Sequence, residues 1–138
     1  MAMPKVYYSV ILGTLISSIC SAQVPGREEY VQAYTAYVLR NSNIFARGMV
    51  KSGMSPEAAE IQSKILASKA IDCHIKYLDD YPEPLQKAMY ETIQNGGSYA
   101  EAESALKIRV AEAHFAGDDL LVQQFGQVTE SVIQCVGS

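Results

Sequence analysis

The chain has 138 residues, 49% of them hydrophobic and 19% charged, with three Cys and no Trp. It is too short for two ordinary domains and too apolar to be disordered. Eleven Lys or Arg against fifteen Asp or Glu give a net charge of −4; without a basic cluster to neutralise phosphates, nucleic acid is excluded as the expected partner.

The charges are unevenly spread. Across residues 1–26 the single charged side chain is Lys5. Residues 1–5 make a short basic start, residues 6–19 an apolar run, and Cys20-Ser21-Ala22 place small residues at the −3 and −1 positions of a cleavage after Ala22. This is the pattern of a secretion signal. Fourteen helical residues span about 21 Å, short of the ~30 Å hydrocarbon core, which argues against a membrane anchor. Ile19 stands before Cys20 where acylation of that Cys favours a small residue.

Cleavage of the first 22 residues leaves 116, moves the net charge to −5 and keeps two cysteines, Cys73 and Cys135. An even pair in an exported chain reads as one disulfide. The expected organisation is a signal peptide over 1–22, a short leader over 23–26 and one domain over 27–138. The expected location is the periplasm of a Gram-negative cell, or otherwise the extracellular space, without stable membrane insertion.

The domain reads as helices with punctuation. Tyr30, Tyr34, Tyr37 and Val38, then Phe45 and Met49 beyond a polar break at Asn41-Ser42-Asn43, fall on one helical face, and Ser52-Gly53 closes the segment. Ser55-Pro56-Glu57 starts a second helix with a capping Ser, Pro at the first helical position and an acid in the first turn. Its inward seam is expected to be Ile61, Ile65, Leu66, Ala70, Cys73 and Tyr77, and its stop the Tyr81-Pro82-Glu83-Pro84 breaker. A short helix with Leu85, Met89 and Ile93 follows, closed by Asn95-Gly96-Gly97. Ser98 and Glu101 have capping-box spacing and open a helix carrying Ala102, Leu106, Val110 and Ala113. After Gly117-Asp118-Asp119, a last helix carries Leu121, Phe125, Val128, Val132 and Cys135. No segment sustains strand-like alternation. The fold class is therefore all-α, an up-and-down bundle of four to five helices with one disulfide between Cys73 and Cys135. Residues 53–65 and 96–108 resemble one another at Gly, Ser, Ala, Glu, Lys and Ile, which two helices each needing a Gly stop and a Ser cap would also produce.

Motifs for chemistry are scarce. The chain has no H-E-x-x-H, C-x-x-C, Glu-x-x-His, G-x-S-x-G or phosphate-binding Gly pattern. Asp72-Cys73-His74 is adjacent only when written linearly, since consecutive helical residues splay about 100° apart; an inward Cys73 leaves His74 as an expected surface residue. The expectation is no metal, no cofactor and no enzymatic activity.

Surface composition carries the functional reading. The corner formed by Tyr77, Asp79, Asp80, Tyr81 and Glu83, stiffened by Pro82 and Pro84, combines acids with amphipathic rings. Such a corner suits a basic cleft on another protein. In broad class this profile resembles the inhibitors and immunity proteins of the bacterial periplasm, which block toxins or hydrolases. The first expectation is thus an inhibitor or immunity-type protein whose partner is a toxin or hydrolase with a basic active-site rim. The second is a stress or chaperone-like periplasmic protein that loosens in acid. The third is a carrier holding an apolar ligand among Tyr34, Phe45, Met49 and Phe125, which requires a cavity of about 300 Å³ or more. The Tyr30, Tyr34, Tyr37 stripe is expected to be a core face whose hydroxyls reach the rim.

Overall fold

The computed structural model describes residues 26–138, so the expected signal peptide and most of the leader lie outside the described residues. Within them the chain forms five α-helices and no strand: α1 (Arg27–Lys51), α2 (Pro56–Lys76), α3 (Glu83–Gln94), α4 (Tyr99–Phe115) and α5 (Asp119–Gly137). A single 3-10 turn, Leu78–Asp80, lies between α2 and α3. The architecture is the expected all-α bundle, and Cys73 and Cys135 form a disulfide with their Cα atoms 5.8 Å apart.

Helix α1 has Glu28 and Glu29 in its first turn and Lys51 in its last, each placed to favour the helix dipole. The polar Asn41-Ser42-Asn43 stretch does not break it. The Asn41 amide donates to the Tyr37 carbonyl at 2.8 Å and the Ser42 hydroxyl to the Leu39 carbonyl at 2.9 Å. These side chains satisfy themselves on the helix they belong to, so they do not compete with its continuation. Tyr30, Tyr34, Tyr37 and Val38 are buried, as a core face should be.

Helix α2 starts where Ser55 predicts, with the Ser55 hydroxyl accepting from the Ala58 N–H at 3.3 Å. Its inward face, however, is only in part the expected one: Cys73 is buried as foreseen, but the two isoleucines are not. Ile61 and Ile65 are 61% and 56% exposed, while Ala59, Ser63, Ala67, Ile71, Cys73 and His74 are buried. The tyrosine row of α1 packs in one cluster with Ala67 and Ile71, so the α2 face opposite it is small at Ala67. The helix also ends at Lys76, before the Pro-rich breaker, and Tyr77 caps it. Pro82 and Pro84 therefore open α3 rather than close α2.

The turn into α4 needs both of its glycines, for different reasons. Gly96 has φ +73°, and a Cβ on Gly97 would sit 2.8 Å from the Thr92 carbonyl oxygen. Beyond them the capping box forms in full: the Glu101 N–H donates to the Ser98 hydroxyl, and the Ser98 N–H donates to the Glu101 carboxylate at 2.6 Å. Gly53 and Ser55 reproduce only the glycine turn and the cap, because Ala58 stands at the third helical position. In α5, Leu121 and Val128 are buried and Phe125 and Val132 are half-buried. Among the described residues no helix is long and apolar enough to cross a membrane.

Two stability effects follow from this arrangement. The disulfide links residues 62 apart, so Cys73→Ser with Cys135→Ser should cost about 4 kcal/mol by the chain-entropy relation, read as a lower urea midpoint. An unchanged midpoint would show that α5 is held without it. Gly97→Ala should cost about 1–3 kcal/mol in the same assay, because the added methyl meets the Thr92 backbone carbonyl as well as its side-chain methyl; Gly26→Ala, with open space around it, should cost less.

Candidate functional site

Helix α2 is packed between α1 and α5, and two adjacent residues serve the two sides. Cys73 binds α5 through the disulfide, whereas His74 turns into the tyrosine row of α1. The expectation of a surface His74 is thus overturned: it is 4% exposed. The 100° splay between neighbours on a helix does separate the two side chains, but both directions point into protein because α2 has a helix on each side. The signal that could have found this is the spacing Ala59, Ser63, Ala67, Ile71, His74, a small-residue helical stripe that ends on the imidazole.

The His74 ring stacks on Tyr34 with centroids 3.9 Å apart and meets Tyr81 at 4.8 Å. Its Nε2 shares a 2.8 Å hydrogen bond with the Tyr30 hydroxyl, the assignment of donor depending on the imidazole tautomer. Burial lowers the His74 pKa to about 4, so the ring is neutral at pH 7. Burial likewise holds the phenols of Tyr30 and Tyr34 protonated, well above their ordinary range. Around this pair the aromatic cluster continues: Tyr37 lies nearly parallel to Tyr99, 5.9 Å between centroids, and Phe45 meets Tyr99 edge-on.

The cluster forms one wall of a cleft of about 500 Å³ to which all five helices contribute. Tyr34 and Tyr37 of α1, His74 of α2 and Tyr81 of the connecting segment line the tyrosine side. Met89 of α3 and Tyr99, Ala102 and Leu106 of α4 line a second side. Phe125, Thr129 and Val132 of α5 line the third. Glu103 and Lys107 also border it and pair with each other at 2.8 Å, both largely exposed. Of the residues expected to enclose an apolar ligand, Tyr34 and Phe125 share this cleft. Phe45 and Met49 do not; they line a separate open groove with Ile44, Gly48 and Leu66. Phe45 packs edge-on against Tyr99, which in turn lies parallel to Tyr37, so Phe45 abuts the aromatic cluster without lining the cleft.

The acidic corner is divided. Tyr81 points inward to His74 and the cleft. Asp79 pairs with Arg27, which also donates to the Ile75 carbonyl at 3.3 Å. Both members of that pair are exposed, so it contributes little to stability. Tyr77 is half-buried, with the Lys76 ammonium 5.1 Å above its ring. Asp80 and Glu83 are exposed, and Asp79 and Asp80 border a polar groove with Gln124, Gln127 and Ser131 of α5. Among the described residues no group of three or more His, Cys, Asp or Glu side chains is placed to hold a metal ion. No family model, curated protein or solved structure matches the chain.

His74 makes the fold sensitive to acid. The imidazole titrates near 6.5 in the unfolded chain and near 4 in the folded one. Below pH 6.5 the unfolded state binds the proton first, so stability falls as pH drops from 6.5 to 4. The His74 contribution to that loss is on the order of 3 kcal/mol. Urea melts across this range should show the loss, and His74→Gln should flatten it; an equal slope in the variant would place the sensitivity elsewhere.

Proposed function

We propose that this is an exported binding protein that carries a small, largely apolar ligand in the cleft between α1, α4 and α5. The observation that supports this reading is the cleft itself. Its volume of about 500 Å³ falls within the range of small-molecule sites, and its walls are aromatic and aliphatic with a few convergent polar groups. The buried tyrosine stripe is rigid on the side facing α2, held by the Tyr30–His74 hydrogen bond, so the wall is formed before a ligand arrives. The disulfide fits export, where it would persist. Filling the cleft should abolish binding without dismantling the core. Thr129 is half-buried and lines the α5 side. Thr129→Trp should reduce affinity for a neutral apolar fluorescent probe such as N-phenyl-1-naphthylamine by at least tenfold while leaving the helical circular dichroism unchanged. Equal binding by the variant would remove the cleft from the account.

The polar groove beside Asp79 and Asp80 supports a second reading, an inhibitor or immunity-type protein that docks on a basic rim of a toxin or hydrolase. Asp80 and Glu83 present carboxylates from an exposed corner, and Tyr77 offers part of its ring. Such charge complementarity acts mainly on the rate of association. On this reading Asp80→Lys with Glu83→Lys should slow association with a basic partner recovered from the native organism by tenfold or more at low salt. An unchanged rate would set the corner aside.

A further inference from the structure

We infer that the ligand of the cleft is a neutral, ring-bearing molecule with a hydroxyl or carbonyl oxygen at one end, and that Tyr99 selects for that oxygen. The inference rests on the small-ligand reading above and adds the chemistry of the ligand to it.

Charge comes first. The charged side chains bordering the cleft, Glu103 and Lys107, are spent on each other, and both lie toward solvent. Inside, the titratable groups are His74, which burial keeps neutral, and phenols that burial keeps protonated. An ionic ligand would lose its hydration in such a cleft and gain no counter-charge, so a neutral one is favoured.

Shape comes next. The walls are built of rings already packed in near-parallel pairs, Tyr34 with His74 and Tyr37 with Tyr99, which leaves their edges and outer faces to a ligand. Flat rings stack offset or edge-on against such faces with a gain beyond that of area alone. The volume admits a molecule of two or three fused rings.

Hydroxyls supply the selection. Among the described residues the Tyr30 hydroxyl is engaged by His74, whereas those of Tyr34, Tyr37, Tyr81 and Tyr99 bond to no other described residue. All four of these residues line the cleft, and Tyr99 is 39% exposed. They meet in one place: Tyr34, Tyr37, Tyr81 and Tyr99 come from α1, the α2–α3 connection and α4 to line the same cleft, with the Tyr37 and Tyr99 rings 5.9 Å apart. A phenol both donates and accepts, so this convergence suits a ligand oxygen. Tyr99 is the member best placed to test, being partly exposed at the start of α4, where loss of its hydroxyl leaves the ring packing intact.

Calorimetric titration at pH 7 with four probes of one shape tests this: 2-naphthol, naphthalene, 2-naphthoate and 2-naphthyltrimethylammonium. The wild-type protein should bind 2-naphthol about fivefold to tenfold more tightly than naphthalene, the gain from one hydrogen bond. The carboxylate and the ammonium should bind at least tenfold more weakly than 2-naphthol. Tyr99→Phe should bring the naphthol-to-naphthalene ratio close to one while sparing naphthalene affinity. If either ion binds tightest, or if naphthalene equals 2-naphthol in the wild type, the inference is overturned. In that event loss of binding in Thr129→Trp would still uphold the cleft as the site. If no probe binds, or if binding ignores Thr129→Trp, the small-ligand reading falls together with it.

Discussion

The structure depends on a division of labour between two neighbours on α2. Cys73 fastens α5 on one side, and His74 enters the tyrosine row of α1 on the other. Because adjacent helical residues diverge by about 100°, α1 and α5 are held at an angle around α2. The cleft opens in that angle, and α4 supplies its remaining side. A bundle in which both residues faced one partner would have no such opening. The disulfide matters here for position as much as stability, since it fixes where α5 stands relative to the aromatic wall.

His74 couples this architecture to pH. A neutral imidazole is compatible with the stack on Tyr34 and with the bond to Tyr30; a charged one would have to be desolvated among rings. Acid therefore acts at the joint between α1 and α2. The carboxylates whose pKa is lowered, Glu60 and Glu101, are fully exposed and serve a Lys64 pair and the α4 cap respectively. An acid-loosened, stress-type behaviour would on this view begin at one histidine rather than at the acidic residues as a group.

Much of the fold was legible because its signals are local. Ser55-Pro56 and Ser98 with Glu101 mark helix starts through hydrogen bonds made within four residues, and Gly96 and Gly117 mark turns through their own dihedral angles. What could not be read is which face of α2 turns inward. Hydropathy favours Ile61 and Ile65, but it is Ala67 and Ile71 that pack with the row of tyrosines across from α2. That is a property of two helices together. His74 was misplaced for the same reason, since a single helix pattern does not reveal that both of its sides are covered. Of the four residues grouped as a ligand lining, Tyr34 and Phe125 share the cleft, whereas Phe45 and Met49 line a separate groove; Phe45 instead meets Tyr99, a residue 54 positions further along the chain. The acidic corner was legible as composition, but not the inward turn of Tyr81 or the pairing of Asp79 with Arg27.

The central claim is that α1, α4 and α5 enclose a working ligand site rather than a packing defect. Amide chemical-shift mapping during titration with 2-naphthol tests it most directly. Saturable shifts are expected to cluster at Tyr34, His74, Tyr99 and Thr129, on four different helices. Shifts confined to the Asp80 and Glu83 corner, or scattered over the surface without saturation, would contradict it.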